Sequence, residues 1–168
     1  VGNLTVGRDG AAGQSSGTHG YTSGGNIPTS TNVIDKFSFS TDGNATDVGD
    51  LLDTNAFSTG QSSGTHGYNS GGYAPPSGSN VVQKWTFAAD ANSTNVGNLT
   101  LARGYTAGES STTHGYLAGG FGPGNLDKVD KYNFSTNNNM VTVANLSVAN
   151  DDPTGNNSET HGYSANGR

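Results

Sequence analysis

The chain has 168 residues, of which 27 Gly, 20 Asn, 20 Thr and 19 Ser make up about half, and it carries a formal net charge of −6 without any Cys. These four residue types are poor helix formers, and the acidic balance disfavours nucleic acid as a partner. Disulfides, zinc–thiolate sites and thiol nucleophiles are excluded, and no apolar run is long enough for membrane insertion.

One unit of 47 or 48 residues repeats along the chain. The segment GQSSGTHGY at 13–21 recurs unchanged at 60–68 and with changes at 108–116 and 155–163. A second marker, Val-Gly-Asn-Leu in its first copy, follows the same spacing. About three and a half copies of one structural unit are therefore present, which is the signature of a repeat architecture.

Each unit contains four strand signals separated by turn residues. In the first unit we predict strand a at 11–16, strand b at 18–23, strand c at 33–39 and strand d at 45–52. The c–d turn contains Asp-Gly, which is typical of a tight hairpin. Four strands in some 47 residues are typical of a β-propeller blade.

The order of residues within a unit resembles the kelch repeat. Its arginine, glycine pair, aromatic-bearing strand and spaced leucine correspond here to Arg8, Gly24-Gly25, Phe37, Phe39 and Leu51. More narrowly, the units are similar to those of kelch-like proteins of tailed phages infecting marine cyanobacteria and of related environmental viruses. The resemblance implies an all-β fold, a β-propeller-like array of four-stranded kelch-type blades, at a virion surface or outside the cell.

The repeats divide the chain into a single array whose ring is incomplete. Three whole blades cover 8–54, 55–102 and 103–149, whereas 1–7 is the last strand of a preceding blade and 150–168 is a partial blade. Propellers have at least four blades, so we expect a second copy or the rest of a longer chain to complete the ring. An open stack or filament is the alternative.

One histidine recurs in every unit within the unchanged segment Thr-His-Gly-Tyr. The His and the Tyr two residues later share a strand face opposite glycines, which favours a packing and hydrogen-bonding pair between blades. No second metal ligand recurs at coordination spacing, and we predict neither a metal site nor a cofactor. The predicted structural ladder consists of His19, His66, His114, His161, Tyr21, Tyr68, Tyr116 and Tyr163.

Aromatic residues also alternate along strand c, and this period of two places both rings of a pair on one face. We predict that these pairs form the core between blades, where large rings contribute most to packing. The pairs are Phe37 and Phe39, Trp85 and Phe87, and Tyr132 and Phe134.

Catalysis is disfavoured. The c–d turn at 40–44 is similar to a sialidase box but lacks its Gly and Trp, so a sialidase-like glycan hydrolase is only a minor alternative. Asp151 and Asp152 are adjacent in a loop, which favours a solvated turn over an acid/base pair. We therefore predict no catalytic residue.

The units differ from one another mainly in the b–c and d–a loops. Because consecutive antiparallel strands reverse direction, both loops emerge on the same face of every blade. Rigid frames with variable, aromatic-rich loops commonly form binding surfaces, although neutral drift of exposed loops explains the variation equally well. The predicted ligand-binding residues are Asp9, Phe57, Tyr73, Tyr105, Phe121, Asp151 and Asp152.

These features favour a non-enzymatic binding or adhesion module of a virion or cell surface that recognises a surface glycan or protein through these loops. The alternative is a structural filament or fibre subunit that assembles with other copies of itself through unpaired terminal strands.

Overall fold

The computed structural model describes residues 2–74, 77–158, 160–165 and 167. The predicted strand at 1–7 and partial blade at 150–168 are therefore described only in part. Helix is absent from the described residues, and the prediction of an all-β fold is confirmed. Three antiparallel sheets of four strands each carry the fold, and the described residues form no closed sheet or barrel. None of their segments is a helix able to cross a membrane.

The strands are numbered in chain order, and those of each unit follow. The first unit contains β1 (Ala12–Ser15), β2 (His19–Ser23), β3 (Asn26–Ile27), β4 (Thr29–Ser30), β5 (Val33–Ser38) and β6 (Thr46–Asp50). The second contains β7 (Thr59–Ser62), β8 (His66–Ser70), β9 (Tyr73–Ala74), β10 (Ser77–Gly78), β11 (Val81–Thr86) and β12 (Thr94–Asn98). The third unit contains β13 (Ala107–Ser110), β14 (His114–Ala118), β15 (Leu126–Asn133) and β16 (Val141–Asn150). The partial unit after it contains β17 (Thr154–Asn157) and β18 (Gly162–Ala165).

Sheet 1 has the order β1-β2-β5-β6, sheet 2 the order β7-β8-β11-β12 and sheet 3 the order β13-β14-β15-β16. In each unit these strands are the predicted a, b, c and d in turn, and those of sheet 1 end within two residues of the predicted bounds. The short hairpins β3-β4 and β9-β10 lie in the b–c loops and were not predicted. Strands β17 and β18 form a separate terminal hairpin.

The a–b turn is nearly constant in sequence because a serine hydroxyl organises it. The Ser16 hydroxyl oxygen accepts hydrogen bonds from the backbone amides of Thr18 (3.3 Å) and His19 (3.0 Å). The same arrangement recurs at Ser63, Ser111 and Ser158. A hydroxyl that satisfies two turn amides leaves little freedom to change the residue.

A β-bulge in strand d of every sheet lies opposite a polar residue of strand c. The register shifts between Ile34 and Asp35 in sheet 1, and the corresponding shifts precede Gln83 and Asp130. All three polar side chains are buried, Asp35 and Asp130 completely. Strand c pairs with strand b without a register shift, so alternation places Asp35 on the same face as Phe37. A polar group therefore lies inside a core that would otherwise be apolar.

In the first and third units this polar group faces the first residue of the unit. Arg8 lies 3.0 Å from Asp35, and Arg103 lies 3.2 Å from Asp130, with all four side chains fully buried. The second unit has Asn55 and Gln83 at these two positions, so both charges disappear together. Removing only one member would leave a buried charge without its counterion, which is strongly destabilising.

Consecutive sheets approach most closely at their inner strands, β1, β7, β13 and β17. A side-chain carbon at Gly108 would lie 2.8 Å from the carbonyl oxygen of Gly60, and one at Gly155 would lie 2.6 Å from that of Gly108. At Gly60 the added carbon would overlap the carbonyl of Gly13. Only glycine permits this spacing, which explains why glycine recurs there.

Farther out, the tyrosine of strand b packs on the aromatic pair of strand c in the next sheet. Tyr21 stacks on Phe87 with ring centroids 4.6 Å apart, and Tyr68 stacks on Phe134 at 4.7 Å. The two buried clusters around these rings are the core of the protein. The prediction of a core position for Phe39 is wrong, since Phe39 is 57% exposed. No strand b of a preceding unit lies among the described residues to cover it.

Residues 2–7 form no strand, because no neighbouring strand among the described residues pairs with them. They nevertheless lie against sheet 1, where the carbonyl oxygen of Asn3 accepts a hydrogen bond from the Ala45 amide (2.9 Å). Asp50 and Asn98 make the equivalent bond to the next sheet, each at 2.8 Å. Residues 2–7 therefore occupy the position of a strand d.

Candidate ligand-binding face

The two variable loops of each unit are held side by side by backbone hydrogen bonds. The Tyr73 amide donates to the Ala56 carbonyl (2.7 Å), and the Phe121 amide donates to that of Gly104 (2.9 Å). Asp9 and Asn26 form the equivalent bridge in the first unit. The d–a and b–c loops thus form one continuous surface, which we name the loop face.

A second set of backbone bonds connects the d–a loops of successive units. The Phe57 amide donates to the Gly10 carbonyl (2.7 Å) and the Tyr105 amide to that of Phe57 (2.9 Å). The Asp152 amide donates in turn to the carbonyl of Tyr105 (2.9 Å). A single row of residues, one from each unit, therefore crosses the loop face at a fixed spacing.

All members of this row adopt a left-handed backbone conformation. The φ angles are +59° at Gly10, +55° at Phe57, +54° at Tyr105 and +55° at Asp152. Glycine adopts this region freely, whereas a bulky aromatic residue is strained there by about 1–3 kcal/mol. Strain of this kind persists only where the surroundings hold the residue in place, and it is concentrated at functional sites.

The two strained aromatic side chains of the row stack on each other. The rings of Phe57 and Tyr105 have centroids 4.6 Å apart and planes inclined by 16°. A side-chain carbon at Gly10 would lie 2.6 Å from the Phe57 ring, so the ring extends over Gly10. Both rings are half-buried rather than fully exposed, and together they form a flat apolar shelf.

Tyr73 and Phe121 provide two further aromatic side chains on the loop face. Tyr73 is 41% exposed and Phe121 is 47% exposed. Their backbones pair with Ala56 and Gly104, which immediately precede the stacked Phe57 and Tyr105. The structure therefore brings four of the predicted binding residues together at the two middle units.

The predicted acidic residues lie at the two ends of the loop face. Asp9 is exposed and belongs to the first unit, whereas Asp152 is exposed and ends the row at the fourth. Asp151 is half-buried beside it. An aromatic centre between acidic ends disfavours an anionic ligand, because carboxylates repel a polyanion.

The histidine ladder lies at the a–b turns, at the opposite ends of the strands. In each unit the histidine Nδ1 lies 2.8–2.9 Å from the hydroxyl oxygen of the preceding threonine. Burial lowers the pKa of His66, and Lys84 lowers it further. Among the described residues no three His, Cys, Asp or Glu side chains are grouped closely enough to hold a metal ion.

The tyrosines of the ladder differ in solvent exposure from one unit to the next. Tyr21 and Tyr68 are 4% and 1% exposed, Tyr116 is half-buried, and Tyr163 is 57% exposed. Packing between sheets therefore covers the first two, whereas the described residues include no aromatic pair of a following strand c to cover the last two. The ladder is a core element only where a complete sheet follows it.

Sequence analysis missed a buried carboxyl group at Glu109. It lies in the wall of a cavity of about 290 Å³ between sheet 3 and the terminal hairpin. Burial raises the pKa of Glu109 to about 7, and its Oε1 has no hydrogen-bond partner among the described residues. The equivalent Gln14 and Gln61 donate through Nε2 to the carbonyls of Tyr68 (3.0 Å) and Tyr116 (3.2 Å). The sequence does contain a sign of this buried carboxyl group, since one repeat has Glu where two others have Gln.

No protein-family model matches the chain, and neither does any curated protein. The resemblance to kelch-like viral proteins therefore stays a prediction from the sequence.

Proposed function

We propose that the protein is a non-enzymatic binding module that recognises a neutral surface glycan with its loop face. The observation that carries the proposal is the strained stack of Phe57 and Tyr105, flanked by the exposed rings of Tyr73 and Phe121. Aromatic rings present large, rigid apolar faces at little cost in conformational entropy. Such faces pack well on the C–H surfaces of a sugar ring.

The sheets beneath the loop face support the same function. Each loop pair emerges from a sheet whose neighbours are fixed by buried contacts, so the aromatic side chains are held at a constant spacing. A preorganised surface loses less entropy on binding than a flexible one. We propose further that the sheets belong to a kelch-type, propeller-like array at the surface of a virion or cell, which the sequence resemblance implies.

A glycan array tests this proposal directly. Labelled protein is applied to immobilised neutral and acidic glycans, and the double variant Tyr73→Ser/Phe121→Ser is compared with it. We expect binding to a group of neutral glycans and a loss of at least about tenfold in the double variant, equivalent to about 1.4 kcal/mol. The control Val141→Ser, which removes a 57% exposed side chain where β16 begins, should bind normally.

Full binding by the double variant would contradict the assignment of the loop face. Binding to acidic glycans alone would contradict the assignment of a neutral ligand. Release of free sugar from the array would contradict a non-enzymatic role and favour the sialidase-like alternative.

A further inference from the structure

Tyr73 and Phe121 occupy the same position in neighbouring repeats and are the most exposed aromatic side chains of the loop face. Each follows a Gly-Gly pair, and each pairs with the d–a loop of its own unit. The rings of Phe57 and Tyr105 stack on each other, so one face of each ring is already covered. The rings of Tyr73 and Phe121 are therefore the platforms that the loop face offers to a ligand.

Backbone contacts fix the distance between these two platforms. The Gly72 amide, next to Tyr73 in the chain, donates a hydrogen bond to the Arg103 carbonyl (2.8 Å). Phe121 and Gly104 exchange two backbone hydrogen bonds, at 2.9 Å and 3.0 Å. A side-chain carbon at Gly104 would lie 3.2 Å from the Cα of Gly72. Two hydrogen-bonded backbone steps of about 5 Å each thus separate the platforms, whose backbones are about 10 Å apart.

This spacing matches an extended chain of β-linked sugars. One pyranose residue of such a chain advances by about the spacing of two neighbouring strands, about 5 Å. Successive residues turn over, so every second residue presents its apolar C–H face to the same side. Two platforms on one surface, two steps apart, therefore meet alternate sugars of a single chain. An α-linked chain curls away from a straight row and does not keep both contacts.

The first unit shows that the fold does not require an aromatic side chain at these positions. It has Asn26 where the second unit has Tyr73, and Gly10 where the second has Phe57. Asn26 nevertheless makes the same backbone bridge, to Asp9, with bonds of 2.9 Å and 3.3 Å. The loop backbone is thus the same with or without a ring, so the ring of Tyr73 serves the surface rather than the folding of its loop.

We infer that the loop face holds one linear, neutral, β-linked oligosaccharide across the second and third units, with Tyr73 and Phe121 stacked on alternate sugars. The inference rests on the proposed function and adds the form of the ligand, which is recognised along its length rather than at its terminal sugar. Once one platform is engaged, contact with the other is intramolecular. A chain that reaches both platforms therefore binds more tightly than one that reaches a single platform.

The length of the oligosaccharide tests this inference in isothermal titration calorimetry. The probes are cello-oligosaccharides and chito-oligosaccharides of one to six sugars, because both series are neutral and β-linked. For at least one series, affinity should rise at least about tenfold between one and three sugars and change little with further length. Malto-oligosaccharides, the α-linked counterparts of the cello-oligosaccharides, should show no such rise.

Three variants locate the two contacts. Tyr73→Ser and Phe121→Ser each leave one platform, so each should bind one and three sugars with equal affinity. Asn26→Tyr adds a platform two backbone steps before Tyr73, through the bond from the Gly25 amide to the Asn55 carbonyl (2.8 Å). Its affinity should continue to rise up to five sugars. The control Val141→Ser should behave like the wild type.

The outcomes separate this inference from the proposed function. Affinity that does not change with chain length, or that rises equally with the α-linked series, would overturn the inference and leave the proposed function intact. An Asn26→Tyr chain that is folded by circular dichroism but gains nothing beyond three sugars would overturn it too. Binding to neither β-linked series would also overturn it, whereas the proposed function is decided by the double variant on the glycan array.

Discussion

Two contacts between neighbouring repeats differ in how well they are packed. One joins sheets 1 and 2, and the other joins sheet 3 to the terminal hairpin. In the first, Gln14 bonds across the interface and Tyr21 is covered by Trp85 and Phe87. In the second, Glu109 takes the place of the glutamine and borders a cavity. The contact between two repeats is therefore more complete where the second repeat has its strand c, and we expect the middle of the described chain to be the most stable part.

Truncating a buried aromatic side chain in the middle of the chain should have the largest effect on the free energy of unfolding. Trp85 is 3% exposed and packs against Tyr21, so Trp85→Ala should lower the free energy of unfolding by about 3–5 kcal/mol. Phe39→Ala removes a ring that is 57% exposed at the end, and it should cost under about 1 kcal/mol. Urea denaturation of both variants measures the difference, and equal losses would contradict it.

Removing one member of a buried ion pair should lower the free energy of unfolding by nearly as much. Asp130→Ala leaves the fully buried Arg103 without its counterion and should cost at least about 3 kcal/mol. The double variant Arg103→Asn/Asp130→Gln copies the uncharged residues that the second unit has at these two positions and should recover most of that loss. If the double variant is no more stable than the single one in urea denaturation, the two positions do not function as a pair.

Glu109 should make the terminal contact sensitive to pH. Its pKa is raised from 4.5 to about 7 in the folded chain, so the folded chain binds a proton that the unfolded chain releases within this window. The free energy of unfolding should therefore decrease as pH rises from about 4.5 to about 7, by about 1–3 kcal/mol in total.

Glu109→Gln is the matched control, because Gln14 and Gln61 already serve at the equivalent positions. It should stabilise the chain at pH 8 and remove this part of the pH dependence. Contributions from other groups, including His66, are common to both chains and cancel in the difference. An identical pH dependence in thermal denaturation of the two chains would contradict the role of Glu109.

A substitution in the loop face should have the smallest effect on the free energy of unfolding. Phe57→Gly relieves the left-handed strain of about 1–3 kcal/mol but removes a ring stack of about 0.5–1.5 kcal/mol and its buried area. These terms nearly cancel, so we expect a change of less than about 1 kcal/mol together with weakened glycan binding. Unchanged binding on the array would show that the strained ring has no part in recognition.

The sequence was sufficient to predict what is local and periodic. The four strands of the repeat, the a–b turn and the position of both variable loops follow from turn residues and alternation. The buried pair of Arg8 and Asp35 was missed, because the partners are 27 residues apart in sequence and alternation alone does not show which residue faces the aspartate. Comparison between repeats contained the signal, since Asn55 and Gln83 replace both charges together.

The other features that sequence analysis did not predict depend on which neighbouring unit packs against each repeat. Phe39 and Phe87 occupy the same repeat position, yet only Phe87 is covered, by Tyr21. Likewise, the aromatic side chains at 57 and 105 give no sequence sign of their left-handed backbone, which the row of bonds across the loop face imposes. Such properties arise from neighbouring units, and a single repeat cannot reveal them.

Amide hydrogen exchange tests the unequal stability of the middle sheets and the terminal hairpin most directly. We expect the amides of β7, β8 and β11 to exchange most slowly, through global unfolding, and those of β17 and β18 to exchange much faster through local opening. Uniform protection from sheet 1 to the terminal hairpin would contradict the account.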